Sequence, residues 1–375
     1  LRLVVTGGGT GGHVYPALAV ARAIVRLRPG TEVLYLGTLD GLEAGIVPRE
    51  GFCFEAVPSR GMVGKGLAGL PSAGLTVLRG VRAAGRIIRR FRPDVVLGTG
   101  GYVTGPVAVA ARLTGVPLVL HEGNAFPGLT NRIAARWAAA VTVPFEQARR
   151  HFPRRAKVFV TGNPIREEIL ATTPEEGRRV LGLPAAAKVV YLVGGSRGAR
   201  VLNEAVVAAL PDWLAELDVW AVFVTGQRYY DEVMTALDKA GIRAGAPGKV
   251  IAVPYLHRAD AALAAADVVV TRAGGTTLAE VTARGIPAVV IPSPNVTFNH
   301  QEYNARVLER AGAAKVILEK DLNGPALSRV VRRLLTDPEL RDRMHRASLK
   351  LGRPKAAEAI ARVVISAAEG RPIVP

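Results

Sequence analysis

The sequence predicts an α/β protein built from two doubly wound, Rossmann-like domains with parallel sheets. Three observations predict it. Short Val/Leu/Ile-rich runs alternate with helical patterns along the chain, and their apolar character is continuous, as in parallel strands covered on both faces. Glycine-rich turns follow several of these runs, at the place where a doubly wound sheet binds its ligands. The opening theme Gly8-Gly9-Thr10-Gly11-Gly12 recurs as Gly194-Gly195-Ser196-Arg197-Gly198 about halfway along. At 375 residues the chain is also longer than one ordinary domain.

In the first half, Leu3–Thr6 reads as a buried strand, glycines follow, and a helical pattern runs from Pro16 to Leu27. Glu32–Leu36, Val95–Leu97, Pro117–Leu120 and Val141–Val143 are further strands, and another ends near Gly162-Asn163-Pro164. The second half restarts with Val189–Val193, a glycine turn and a helix from about Ala199 to Ala209. Val219–Val224, Val250–Val253, Val268–Thr271 and Ala288–Ile291 continue the series. Strand–helix alternation of this kind implies right-handed crossovers. The expected domains are 1–163 and 164–354, with the segment 355–375 able to pack back on the first; it is helical from Ala356 to Ala368, after the Gly352-Arg353-Pro354 break.

Hydrophobic residues make up 49% of the chain and charged residues 21%, so it can bury sizeable cores and is not disordered. No apolar run approaches the roughly 18–20 residues of a membrane-spanning helix. Leu1 to Val5 meets a glycine cluster at once, unlike a signal peptide. The lone Cys53 leaves no internal disulfide or multi-cysteine metal site and reads as a small core residue. These features together point to the cytoplasm. The formal charge is +18, and residues 1–164 carry 21 Lys and Arg against 8 Asp and Glu, the remainder 28 against 23. A basic first half points to anionic lipid, nucleic acid or a phosphorylated substrate. Nucleic acid is the weakest of these, because aromatics are only 5% and no recognition motif is present. Three glutamines and eight asparagines are few, which fits a thermophile or a GC-rich genome.

Four glycine turns follow strands: Gly7–Gly12, Gly98–Gly105, Gly194–Gly198 and Gly274–Thr277. Glycine lets the backbone approach closely, and the helix that follows offers N–H groups and a positive dipole end to a phosphate. Gly7-x-Gly9-x-x-Gly12 matches the dinucleotide fingerprint formally. That fingerprint wants an acidic residue closing the second strand, whereas here Leu36-Gly37-Thr38 stands there and Asp40 comes late. An NAD-dependent dehydrogenase is therefore the weaker reading. No Gly-Lys-Ser/Thr makes a P-loop, and no Asp-x-Asp pair offers to chelate a metal-bound nucleotide sugar.

Six blocks carry a resemblance: Gly8-Gly9-Thr10-Gly11-Gly12-His13, Gly100-Gly101-Tyr102-Val103-x-Gly105-Pro106, His121-Glu122-x-Asn124, Gly162-Asn163-Pro164-Ile165-Arg166, Gly194-Gly195-Ser196-x-Gly198-Ala199 and Asn299-His300-Gln301-Glu302-Tyr303-Asn304. In order and spacing they resemble the signature blocks of the MurG family of bacterial N-acetylglucosaminyltransferases, over almost the whole chain. The resemblance implies a GT-B fold, two Rossmann-like domains facing a central cleft. It implies inverting transfer of N-acetylglucosamine from UDP-N-acetylglucosamine to the muramyl 4-hydroxyl of a polyprenyl-diphosphate-linked MurNAc-pentapeptide, the step from lipid I to lipid II in peptidoglycan synthesis. It implies no metal or other cofactor, and a peripheral place on the inner face of the cell membrane. Gly123 and Arg197 depart from the family pattern, where Gln is common at both. The nearest alternatives are another GT-B UDP-sugar enzyme with a different acceptor, or an epimerase.

His13 ends a glycine loop and opens a helix whose positive terminus favours the neutral, proton-accepting imidazole. It is a candidate base for the attacking hydroxyl. Glu122, at a strand end beside Asn124, is the competing base, or else a carboxylate that holds neighbouring backbone. The resemblance gives Glu280 the ribose hydroxyls and places the backbone near Leu256 on the uracil ring. Ser196, Arg166, Gly275, Thr276 and Thr277 suit the diphosphate edge, and Thr10, Gly11, Gly12 and Asn124 join the donor set. Gln301 and Asn304 share a helix face, and their amides suit sugar hydroxyls, whereas the adjacent His300 reads as structural. Gly100, Gly101 and Tyr102 form the acceptor-side diphosphate loop. Finally, Leu67, Leu70, Leu75 and Leu78 mix with Lys65, Arg79, Arg82, Arg86, Arg89 and Arg90 in a basic amphipathic stretch, the pattern of an anionic-membrane contact or of a buried helix with a solvated basic edge.

Overall fold

The computed structural model describes residues 1–59, 70–195, 198–245 and 248–373. Ser196, Arg197, Lys65 and Leu67 lie outside the described residues. The chain divides into two compact units, residues 1–165 with 354–375, and residues 166–353.

Unit 1 holds seven strands: β1 (Arg2–Thr6), β2 (Glu32–Gly37), β3 (Cys53–Ala56), β4 (Val95–Gly98), β5 (Leu118–His121), β6 (Ala140–Val143) and β7 (Val158–Val160). They form one parallel sheet in the order β3-β2-β1-β4-β5-β6-β7. Its first helices are α1 (Gly11–Leu27), α2 (Leu42–Arg49), α3 (Leu70–Phe91), α4 (Thr104–Thr114) and α5 (Leu129–Ala134). Strand order reverses between β1 and β4, and the loops after these two strands open at that switch point, where doubly wound sheets hold their ligands.

Unit 2 repeats the plan. Its helices are α6 (Glu168–Ala171), α7 (Pro174–Leu181), α8 (Arg200–Glu216), α9 (Tyr230–Lys239), α10 (Ala259–Ala265), α11 (Gly275–Arg284), α12 (His300–Arg310), α13 (Gly324–Thr336) and α14 (Pro338–Leu351). Its strands are β8 (Lys188–Val193), β9 (Val219–Val224), β10 (Val250–Val253), β11 (Val268–Thr271), β12 (Ala288–Val290) and β13 (Ala314–Val316), all parallel, in the order β10-β9-β8-β11-β12-β13. The switch falls between β8 and β11. The chain then returns to unit 1 as α15 (Ala356–Ala368).

Both faces of the first sheet are covered, which is why its strands read as unbroken apolar runs. Leu3, Val5 and Leu97 point into a core with Val14, Leu18 and Ile24 of α1 and Ile360 and Val364 of α15. Their neighbours Val4 and Val96 point the other way, against Ala84 and Ile88 of α3 and Val107 and Ala111 of α4. The period of two does the sorting. In unit 2, Trp213 of α8 is fully buried against Val219, Leu334 and their neighbours.

The structure departs from the sequence reading in four places. Helix α1 begins at Gly11, not Pro16: a glycine-rich start lacks helix propensity but leaves the first N–H groups uncovered, and Pro16 lies inside the helix, in its second turn, where it offers no N–H to the Gly12 carbonyl. Helix α8 continues past Ala209, through Pro211, to Glu216. The strands β3 and β13 were not predicted; both are short sheet edges, interrupted by Glu55 and Lys315. Cys53 is exposed on edge strand β3 and is not a core residue.

Candidate functional site

In unit 1 the loops after β1 and β4 are joined. The Gly8 N–H donates to the Gly100 carbonyl at 3.3 Å, and the Thr99 hydroxyl donates to the His13 carbonyl at 2.8 Å. Gly101 is left-handed, with φ +81°, and a Cβ there would lie 2.3 Å from the Gly8 carbonyl oxygen. Only glycine satisfies both the angle and the approach. Thr10, the residue before α1, does not use its side chain as a cap and leaves Gly11 and Gly12 as the first helical residues.

His13 sits in the first turn of α1, half-buried. Its Nδ1 lies 3.0 Å from the Gly8 carbonyl oxygen and 3.3 Å from the Thr10 hydroxyl. A carbonyl only accepts, so Nδ1 carries the hydrogen in the neutral ring and Nε2 keeps the basic lone pair. The ring edge faces Gly100, where a Cβ would stand 2.9 Å from Cδ2 and 3.1 Å from Nε2. Tyr102 follows in the same loop, 41% exposed, its backbone carbonyl accepting from the Ser59 hydroxyl at 3.1 Å.

Glu122 follows directly after β5 and is buried. Its Oε1 accepts from the Asn124 N–H at 3.0 Å and the Asn124 amide at 3.1 Å. Its Oε2 accepts from the Gly128 N–H at 3.0 Å and the Asn131 amide of α5 at 2.9 Å. Four donors occupy the carboxylate, so it splints the loop from 123 to 128 and fixes Asn124 within it. Next to it, burial pushes the His121 imidazole down to about 4, against a hydrogen bond with Asn163 that favours the charged ring. His121 is thus neutral, bonded to the Thr142 hydroxyl at 3.0 Å.

In unit 2, Gly275, Thr276 and Thr277 form the first turn of α11, half-buried and with no acidic residue among them. One turn on, Glu280 is 7% exposed and accepts from Arg166 Nε at 3.1 Å. Burial raises the Glu280 carboxyl above its ordinary range, against the pull of Arg166. Tyr191 of β8 is buried beside them, its phenol pushed up by burial and then by the Glu280 charge. Leu256 follows β10, half-buried.

Gln301 and Asn304 do share one face of α12, and that face is turned to the loop after β11. Gln301 Oε1 accepts from the Ala273 N–H at 3.2 Å and the Ser293 N–H at 2.9 Å. The buried Asn304 donates to the Ala273 carbonyl at 3.0 Å. Their acceptor and donor atoms brace the backbone that leads into α11. His300 bonds the Thr297 carbonyl at 2.9 Å. Two groups here escaped the sequence reading. Arg272 reaches the Ile291 carbonyl at 3.3 Å and the Glu319 carboxylate at 2.5 Å. Glu43 lies fully buried under the first glycine loop. Neither belongs to a local motif; the only hint at Glu43 was the cluster of glycines on either side of it in the sequence. Among the described residues no group of three or more His, Cys, Asp or Glu side chains is gathered as a metal ion would require.

Residues 3–143 match the glycosyltransferase family 28 N-terminal domain and residues 189–360 its C-terminal domain. The chain is 49% identical to the UDP-N-acetylglucosamine–N-acetylmuramyl-(pentapeptide) pyrophosphoryl-undecaprenol N-acetylglucosamine transferase of Symbiobacterium thermophilum, covering 98% of this chain and 96% of that one. It is 46% identical to the protein of the same name from Desulforudis audaxviator, over 97% and 98% of the two chains. Among solved structures it is similar to Acinetobacter baumannii MurG, with a TM-score of 0.77, 27% identity and coverage of 97% and 99%. The calicheamicin glycosyltransferase CalG4 shares the fold at a TM-score of 0.67 and 19% identity, over 99% and 98% of the chains.

Proposed function

The chain belongs to glycosyltransferase family 28, and from that premise we propose how its residues carry out the transfer. The enzyme moves N-acetylglucosamine from UDP-N-acetylglucosamine to the muramyl 4-hydroxyl of a polyprenyl-diphosphate-linked N-acetylmuramyl-pentapeptide. The observation that carries this reading is near full-length identity of 46–49% to transferases of that name. The hydroxyl oxygen bonds to the anomeric carbon as the bond to UDP breaks, and the hydroxyl proton passes to His13 Nε2. The Gly8 carbonyl supports the required tautomer. The leaving diphosphate gathers negative charge, which the open N–H groups and hydroxyls of Gly275, Thr276 and Thr277 at the start of α11 suit. Glu280 then receives the ribose hydroxyls, held in place by Arg166.

No cofactor is required on this reading, because helix termini and Arg166 take the part that a metal plays elsewhere. Transfer to a lipid-linked acceptor should proceed undiminished in excess chelator. Loss of turnover restored by magnesium or manganese would overturn it. In the same assay UDP-N-acetylglucosamine alone should not epimerise, which separates the transferase from an epimerase, and NAD should give no thermal protection where UDP does.

At the donor pocket, Glu280→Ala should weaken UDP binding by about 1.5–3 kcal/mol, the range for hydrogen bonds to a charged group. Calorimetry checks it, and unchanged affinity removes Glu280 from the ribose.

The lipid-borne acceptor brings the enzyme to a membrane, and the proposed contact is α3. Arg79, Arg82, Arg86 and Arg89 are exposed along it, and Leu75, Val77 and Leu78 are 49%, 37% and 46% exposed. Its other face, with Ala84, Ile87 and Ile88, is buried, and Arg90 is paired with Glu55. No described helix is long and apolar enough to cross a bilayer; the contact proposed is a peripheral one, at the inner face of the cell membrane. Each basic residue near an anionic surface contributes about 1 kcal/mol, screened by salt. Replacing Arg82, Arg86 and Arg89 by Gln should release the protein from anionic vesicles and leave turnover of a short, water-soluble acceptor nearly intact. Unchanged sedimentation at low salt would sink the docking idea.

A further inference from the structure

Glu43 lies in the first turn of α2, with no exposed surface. Its Oε1 accepts from the Thr38 N–H at 3.0 Å and the Thr38 hydroxyl at 2.7 Å, and its Oε2 accepts from the Gly9 N–H at 3.1 Å. Among the described residues no basic side chain pairs with it. The sequence makes room for this group at some cost in backbone order. A Cβ at Gly8 or Gly41 would stand 2.3 Å from a carboxylate oxygen, and one at Gly37 would stand 2.5 Å from Cγ.

The Gly9 N–H and the Gly8 C=O belong to one planar peptide unit and point in opposite directions from it. Glu43 holds the N–H side. His13 Nδ1 holds the C=O side, at 3.0 Å. Between two glycines this peptide meets little steric resistance to flipping. A flip would turn an N–H toward His13, which favours the tautomer with hydrogen on Nε2 and disables it as an acceptor. A carboxylate forbids the flip, because the peptide oxygen would then face an acceptor-only group. We propose that Glu43 is a positioning residue for His13: by pinning the Gly8–Gly9 peptide it sets the imidazole in its Nε2-basic tautomer. The same bond withdraws the Gly9 N–H from any bound phosphate, so the first glycine loop serves as a histidine mount despite its dinucleotide-like spacing.

This inference rests on the reading of His13 as the base, and its test is chosen to fail separately. Glu43→Gln keeps the shape but gives the side chain a donor that can receive a flipped Gly8 carbonyl. Long-range proton–nitrogen spectra of the full-length, histidine-labelled protein report each ring's tautomer, with His13 assigned by its loss in His13→Asn. The wild type should show His13 with hydrogen on Nδ1. Glu43→Gln should move it toward Nε2, with kcat lower by about 10- to 100-fold, the effect of a small misplacement of a reacting group. UDP affinity and Tm should stay close to the wild type. If Glu43→Gln folds poorly, Thr38→Val loosens the same carboxylate and should move both readouts the same way by less. An unchanged His13 tautomer in the folded variant overturns the proposal, even if His13 proves to be the base. A tautomer change with no loss of kcat sinks the base reading while leaving the peptide pin in place.

Discussion

Replacing His13 by Gln should lower kcat by about 10²- to 10⁴-fold, the contribution of a positioned general base, and leave UDP affinity unchanged. Glutamine suits the first turn of a helix, and its amide can still engage the Gly8 carbonyl, so unit 1 keeps its fold. What it lacks is a lone pair able to take a full proton from the acceptor hydroxyl. The residues proposed to hold the donor lie in unit 2 apart from the first-loop glycines, Thr10 and Asn124, which is why calorimetric UDP binding separates the two roles. A kcat within about threefold of the wild type would remove His13 from the chemistry.

Glu122→Ala should act on stability first. Four donors lose their acceptor at once, two of them backbone N–H groups at Asn124 and Gly128 and one the buried Asn131 amide. Leaving a buried donor unpaired costs about 1–3 kcal/mol each, partly recovered where water reaches the loop. The sum comes to about 3–5 kcal/mol, large for one substitution and traceable to a named network. For a unit of this size it corresponds to a fall in Tm of roughly 10 °C. Any loss of turnover should follow that unfolding, and should be restored at temperatures where the variant is folded. A variant with wild-type Tm and no turnover would instead make Glu122 the base.

Much of this was legible before any coordinates. The two-domain α/β pattern follows from parallel strands covered on both faces, because such strands must be apolar at every position. Val4 and Val5 face opposite cores and are both Val for that reason. The final helix was legible too, since Ala356–Ala368 is apolar enough to require a core and follows a clear break. The edges were not. β3 and β13 carry polar residues on their uncovered sides, and three- or four-residue strands have too little pattern to declare themselves. Cys53 followed β3 to the surface.

At the site, the sequence by itself determined which residues stand at strand ends. Glycine turns after apolar runs identify themselves: His13 was named at the end of one and Glu280 on the helix after another, whereas Glu122 was named at a strand end, Arg166 at the domain boundary, and Gln301 and Asn304 on one helix face. Only the tertiary structure decided what each side chain does with its hydrogen-bonding capacity. Glu122 and Gln301 have the chemistry to meet a substrate, yet their oxygens are taken by backbone N–H groups. Glu280 keeps a partner that lies 114 residues away. Glu43 stands between ordinary helix residues in the sequence and becomes a buried pin only because β1 and β2 are neighbours in the sheet. The physical reason is the same in each case. Residue type and spacing fix local conformation and burial, but a buried polar atom must find a partner wherever the fold brings one, and that partner is set by topology.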